Sequence, residues 1–308
     1  MILNKKIKPL NNYQELLTNL DQYKNIICDL WGVIHDGTSL YPAISEFITE
    51  IARQNKNLIF LSNAPRRAKE VALILNNLSI NSQCYQLIVT SGEILFYDLK
   101  NNQDNNFKRF GSKFYYFGPK KDQNLLLGLN YQSSAIEDAD FVVLTGFHDD
   151  ASNLSDEIKI IEQIYKKNLT IICANPDLKV VRQNGTESPC AGQIAQYYQQ
   201  IGGNVIYYGK PYFAIYEHLV NQLSQITGQN FNKSDFIAIG DAIETDIKGS
   251  ANFGIKNIFI LNGIHRQDFI NCKNQQDKIN QIQSILINHN FNPDIIDFFI
   301  DNIGLGYK

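Results

Sequence analysis

An apolar run that stops at a carboxylate and breaks at once into glycines constrains this chain more than any other feature: Ile26-Ile27-Cys28-Asp29, then Leu30-Trp31-Gly32-Val33-Ile34-His35-Asp36-Gly37. Apolar, β-branched residues directly before an acid suit a parallel strand covered on both faces, and the two glycines permit a tight backbone that a ligand can approach. The C-terminal end of a strand is also where open α/β sheets place their chemistry. An ordinary strand ending in an aspartate turn has the same residues, so the remaining strand ends must decide between the two.

Those ends repeat the pattern. Leu16, Leu17 and Leu20 mark a short helix within 13–23, and Ile44, Phe47, Ile48 and Ile51 a helix over 44–54. The strand Asn57-Leu58-Ile59-Phe60-Leu61 then runs into Ser62-Asn63-Ala64-Pro65-Arg66. A helix with Ala68, Val71, Ala72 and Leu75 on one side leads to the strand Leu87-Ile88-Val89-Thr90, the succession expected of right-handed βαβ units. The polar, asparagine-rich stretch 100–108 breaks the rhythm and reads as a linker. Strands at 113–118, 141–146 and 170–175, with a helix over 155–166, make an inserted α/β unit of roughly a hundred residues, an ordinary domain size.

The first pattern resumes with a strand at 204–208, the loop Gly209-Lys210-Pro211 and a helix near 214–223. The strand Asp235-Phe236-Ile237-Ala238-Ile239 then ends in Gly240-Asp241-Ala242-Ile243-Glu244-Thr245-Asp246. After a last strand at 258–261, the tail is expected to form one helix through Ile279, Ile282, Ile285 and Leu286 and another up to Ile303. It packs on the core or on a partner subunit, so a homodimer is among the assemblies allowed. The expected architecture is α/β: a Rossmann-like parallel-sheet core in two segments, 1–108 and 204–308, around an inserted α/β domain at 109–203.

At 308 residues and 44% hydrophobic, the chain can bury a sizeable core. A formal charge of -3 with scattered lysines and arginines leaves no footprint for nucleic acid or an anionic membrane. Cys28, Cys84, Cys173, Cys190 and Cys272 are odd in number and lack CxxC spacing, against zinc or disulfide frameworks. No apolar stretch reaches the length of a signal peptide or a membrane span. A reducing, cytoplasmic setting is the expectation.

In a parallel sheet, Asp29, Ser62, Lys210, Asp241 and Asp246 converge on one edge, because each follows an apolar strand or its adjoining turn. Such a set suits phosphoryl transfer with Mg²⁺, which takes one or two carboxylates together with phosphate and water. Lysine neutralises phosphoryl oxygens, a hydroxyl and backbone N–H groups bond them, and a carboxylate can itself be the nucleophile.

On these motifs the chain resembles the haloacid dehalogenase superfamily of hydrolases, class IIA branch, which includes nucleotide, sugar, 4-nitrophenyl and pyridoxal phosphate phosphatases. The family's motifs match Asp29-Leu30-Trp31-Gly32-Val33, Leu58-Ile59-Phe60-Leu61-Ser62-Asn63, Gly209-Lys210-Pro211 and the 240–246 segment, with Ala174-Asn175-Pro176-Asp177 a further hallmark inside the insert. The resemblance implies that Asp29 is the nucleophile and, with Asp241 and the backbone carbonyl of Trp31, a Mg²⁺ ligand, while Asp246 supports the metal shell. It implies that Ser62 and Lys210 hold the phosphoryl group of a small phosphorylated metabolite. The insert becomes a cap, with Asn63, Asn175, Asp177 and Gly192 on the substrate side.

One position departs from the family pattern. The residue two beyond the nucleophile is, in the superfamily's phosphatases, a second aspartate that protonates the leaving oxygen and later activates water. Here it is Trp31, and losing such a group typically costs about 10²–10⁴ in rate. The favoured reading is a phosphatase whose substrate needs little protonation, or in which His35 or Asp36 stands in. The alternatives are a weak or inactive regulatory protein that binds phosphate and Mg²⁺, and a carbon–halogen hydrolase, against which the acidic 240–246 motif speaks.

Overall fold

The structure is a computed structural model that describes residues 7–101, 110–149 and 152–306. Most of the linker expected at 100–108 lies outside the described residues. Strands β1 (Lys8–Pro9), β2 (Asn25–Cys28), β3 (Asn57–Ser62) and β4 (Leu87–Thr90) precede the insert. Strands β5 (Lys113–Phe117), β6 (Gln132–Ser133), β7 (Phe141–Leu144), β8 (Thr170–Cys173), β9 (Lys179–Val181), β10 (Glu187–Pro189) and β11 (Val205–Tyr207) follow, and then β12 (Phe236–Gly240), β13 (Lys256–Ile260) and β14 (Phe298–Ile300).

The larger sheet has seven strands in the order β1-β14-β13-β12-β2-β3-β4, paired in parallel throughout. Its strands read as continuous apolar runs because both faces are covered. The two-residue period sends Ile26, Cys28, Leu58, Phe60, Ile237 and Ile239 to one face, under the helices Tyr13–Leu20, Ile44–Arg53 and Ala68–Asn77. Ile27, Ile59, Leu61, Phe236 and Ala238 go to the other, under Ser91–Asn101 and Phe213–Thr227. Since β2, β3 and β12 run in one direction, Asp29, Ser62 and Asp241 emerge on one edge.

The second sheet, β11-β8-β7-β5-β6, is also parallel. One face, with Phe114, Phe141 and Val143, packs into the same apolar cluster as the core helices, and the other is covered by Leu154–Lys166 and Ala191–Gln200. The antiparallel pair β9–β10 projects from this unit towards the core.

Two expectations are corrected. The strand expected to return to the core at 204–208 pairs instead with β8, Val205 opposite Ile171 and Tyr207 opposite Cys173, so the chain leaves the second sheet only after 207. The second helix expected in the tail is instead strand β14, which joins β13 to β1. Three consecutive bulky residues, Phe298-Phe299-Ile300, favour an extended segment over a helix.

Candidate active site

Asp29 follows β2 and its N–H is donated to the Ile239 carbonyl oxygen (2.9 Å), which ties this carboxylate's position to the neighbouring strand. Gly32, with φ of 85°, turns the chain away; a Cβ there would lie 2.0 Å from Asp241 Oδ2, so only glycine lets this loop meet that carboxylate. Asp241 follows β12 and accepts the Ile264 N–H at 2.7 Å. The wide helical turn Ile243–Ile247 returns Asp246 to the same edge, where its Oδ2 accepts the Ala242 N–H at 3.1 Å. Such i→i+5 turns recur at functional sites.

Lys210 is buried at the centre. Its Nζ donates to Asp29 Oδ1 at 2.6 Å, to Asp246 Oδ1 at 2.7 Å and to the Leu61 carbonyl at 3.1 Å. Asn63 holds the lysine's backbone, accepting the Lys210 N–H at 2.7 Å, and donates to Asp177 Oδ1, also at 2.7 Å. Asp29, Asp241 and Asp246 present oxygens within 4.8 Å of one another, all three residues buried.

One ammonium therefore serves several acids. Burial, and then neighbouring carboxylates, push the Asp29 and Asp241 carboxyls upward, and burial raises Asp177 against the pull of Lys210. Burial acts to lower Lys210, but Asp246 and Asp29 outweigh it and hold the lysine well above its ordinary value. Both partners of the Lys210–Asp29 pair shift the same way because the lysine is over-supplied with anions and each acid is short of cations. A buried oxygen cluster with this charge deficit is chemically suited to Mg²⁺.

A cavity of about 720 Å³ opens beside the cluster, lined by Asp29, Ser62, Lys210, Asp241 and Asp246, with Trp31 and Asp177 among the walls. Of the residues expected to bind substrate, Asp177 lines this cavity. Asn63 lies behind it as the link between Lys210 and Asp177, and Asn175 Oδ1 accepts the Asp177 N–H at 3.1 Å. Gly192 is buried and donates its N–H to the Asp177 carbonyl at 3.0 Å, so it supports this loop from beneath.

Trp31 reaches across to the insert. Its indole N–H donates to the Val181 carbonyl at 3.0 Å, Arg182 lies over its ring with Cζ 5.4 Å from the centroid, and a Cβ on Gly37 would sit 2.6 Å from the ring. Beside it, Asp36 Oδ2 accepts the Gln183 N–H at 3.2 Å, and Arg266 donates to the Gln183 carbonyl at 2.7 Å. The turn after β9 is thus strapped to the core. Replacing Trp31 with Phe keeps the ring and leaves the Val181 carbonyl unpaired, for an expected loss of about 1 kcal/mol in urea unfolding. Faster proteolysis at 181–185 should accompany that loss.

Neither side chain considered as a stand-in for the missing acid lines the cavity. Asp36 is held well below the usual carboxylate range because, although burial raises it, hydrogen bonds from Thr38, Ser39 and Gln183 prevail. His35 Nδ1 accepts the Gly37 N–H at 2.9 Å, and burial lowers the imidazole to about 4. His35 is therefore neutral in the folded protein while the unfolded chain protonates near its ordinary value. Its contribution to stability is present above about 6.5 and falls away towards 4, by up to about 3 kcal/mol. Unfolding measured across that range should show a shallower slope for His35→Gln.

Sequence reasoning missed the bracing role of Asn63, the strap through Arg182, Gln183 and Arg266, and the part the expected tail helix, Gln275–Asn288, plays in the cavity wall through Gln281 and Asn288. The helical spacing of the tail was legible, but its placement was not.

Comparison with known proteins bears on the fold and the family. Residues 26–132 match the family model of haloacid dehalogenase-like hydrolases, and 207–283 match a second model, HAD-hydrolase-like. The acid sugar phosphatase of Staphylococcus haemolyticus is 21% identical over 83% of this chain and 92% of its own length. Among solved structures, a possible sugar phosphatase from Cytophaga hutchinsonii superposes with a TM-score of 0.74 at 20% identity, over 97% of this chain and 99% of that one. A haloacid dehalogenase-like hydrolase from Brucella suis superposes with a TM-score of 0.75 at 30% identity, covering 82% of this chain and 90% of that one. With family models matching 26–132 and 207–283 and a 30%-identical relative covered over 90% of its length, the chain belongs to the haloacid dehalogenase-like hydrolases, in their class IIA branch.

Proposed function

We propose that the chain is a Mg²⁺-dependent phosphatase that cleaves a small phosphorylated metabolite, a sugar phosphate or a similar monoester, through an aspartyl phosphate on Asp29. The observation that carries this is the buried cluster of Asp29, Asp241 and Asp246 around the single ammonium of Lys210. Asp29, Asp241, the Trp31 backbone carbonyl and Asp246 would hold the metal, which when bound supplies charge neutralisation for the phosphoryl group.

Asp29 attacks phosphorus, the bond to the leaving oxygen breaks, and the phosphoryl group is carried on the Asp29 carboxylate. Lys210 and the Ser62 hydroxyl bond its oxygens. Water then attacks phosphorus, the Asp29–phosphoryl bond breaks and inorganic phosphate leaves. The named activities of the sugar phosphatase relatives support this substrate class.

Trp31 cannot donate the leaving-group proton, and its indole N–H is already engaged with Val181. The departing oxygen must therefore leave largely unassisted, and rate should follow leaving-group acidity. With Mg²⁺ present, kcat/KM for aryl and acyl phosphates is expected to exceed that for simple alkyl phosphates by about 10²–10⁴. Measuring kcat/KM on such a panel, with and without a chelator, tests the proposal. Equal kcat/KM values across the panel would contradict the role given to Trp31. Absence of turnover on every member, with Mg²⁺ and phosphate still bound, would favour a regulatory binding protein.

A further inference from the structure

We infer that the cavity beside Asp29 continues into a distal subsite, walled by the helices Ala191–Gln200 and Gln275–Asn288, that takes an uncharged, polyhydroxylated group longer than one sugar ring. This rests on the phosphatase reading and deepens it. The cavity measures about 720 Å³, well above the ~300 Å³ at the small end of ligand sites. The phosphoryl group fills only the end at Asp29.

The rest is walled by two helices from different parts of the chain. Gln193, Gln196 and Gln200, at i, i+3 and i+7, line it from the insert. Gln281 and Asn288, seven residues apart, line it from the tail with Ile285 between them. These spacings each put one helical face on the cavity. The opposite faces are anchored, the first by Ile194, Ala195 and Tyr198, the second by Ile282 and Leu286 against Phe259 and Phe269.

Among the described residues, none of these five amide side chains is hydrogen-bonded within the protein. Each amide offers two donors and an acceptor oxygen, which suits hydroxyl groups that donate and accept together. The charges in the wall disfavour a second phosphate. Glu244 lies 3.6 Å from His265 and 3.7 Å from His289, Asp268 lies 3.1 Å from His265, and Lys179 is paired with Glu187 at 2.7 Å. Acids and histidines are thus interleaved, and the lysine is already neutralised.

Binding rather than turnover is the appropriate readout, because Trp31 slows alkoxide departure from any sugar ester. Calorimetric titration of the full-length Asp29→Asn protein with Mg²⁺ would compare inorganic phosphate, glucose 6-phosphate and trehalose 6-phosphate. The disaccharide ester is expected to bind at least tenfold more tightly than the monosaccharide ester. That ratio should collapse towards one when Gln281→Ala and Asn288→Ala are combined, and within-variant ratios cancel any general loss of folded protein. Equal affinity for the two esters, or a ratio that survives the double substitution, overturns the subsite while phosphate binding leaves the phosphatase reading standing. Failure of all three to bind the variant, together with failure of inorganic phosphate to bind the parent protein with Mg²⁺, overturns both.

Discussion

Asp29→Asn is expected to lower turnover of an aryl phosphate by on the order of 10⁶-fold, since in the proposed mechanism it removes the carboxylate that accepts the phosphoryl group. Stability should respond differently. Asn occupies nearly the same space and removes one negative charge from a cluster in which Asp29 is among the groups that raise Asp241. With a chelator present, the melting temperature of the variant is expected to match or exceed that of the parent, and Mg²⁺ should raise it less. A catalytic loss accompanied by a large fall in melting temperature would mean that Asp29 is mainly structural.

Lys210→Met is expected to have the largest effect on stability. Lys210 is buried and bonded to Asp29 and Asp246, with Asp177 a further charge that acts on it. Methionine fills similar volume but leaves buried carboxylates without their cation, a defect that typically costs about 3–5 kcal/mol. The sign of its pH dependence follows from the same charges. Asp29 and Asp241 already sit above the ordinary carboxylate range, and losing the ammonium raises Asp29 further, so protonation relieves the defect. The deficit relative to the parent should be greatest at pH 8 and shrink as pH falls towards 5. Saturating Mg²⁺ should recover part of it at pH 8, because a divalent cation meets the same shortage. Denaturant unfolding at the two pH values, with and without Mg²⁺, measures both effects.

Much of this arrangement was legible in the chain itself. Strands β2, β3 and β12 are buried on both faces and therefore appear as unbroken apolar runs, and the parallel order fixes where Asp29, Ser62 and Asp241 emerge. The tail was harder. Phe298-Phe299-Ile300 forms a strand because β13 on one side and β1 on the other offer it partners, a tertiary fact that local spacing does not carry. The strand at 205–207 has the same apolar look whichever sheet it joins, and only pairing with β8 assigns it. Asn63 was visible as a polar residue in a motif, but its bridge between Lys210 and Asp177 joins positions more than a hundred residues apart in sequence.

Trp31 shows why a motif departure needs the fold. As a residue type it removes proton transfer from the position two beyond Asp29. In the structure its ring and N–H join the core loop to the turn after β9, alongside Asp36, Gln183 and Arg266. Under the proposed reading the residue thus offers no acid, while its contact ties the turn after β9 to the core loop. A water molecule left without a strong base would also attack phosphorus slowly, so the phosphorylated Asp29 should persist long enough to isolate.

That persistence makes the central claim directly measurable. Acid quenching during turnover of an aryl phosphate with Mg²⁺, followed by peptide mass spectrometry, should find one phosphoryl group on the peptide that contains Asp29. The same peptide from the Asp29→Asn protein should carry none. Continued turnover with the phosphoryl group on another residue, or undiminished hydrolysis by the Asp29→Asn protein, would contradict the account.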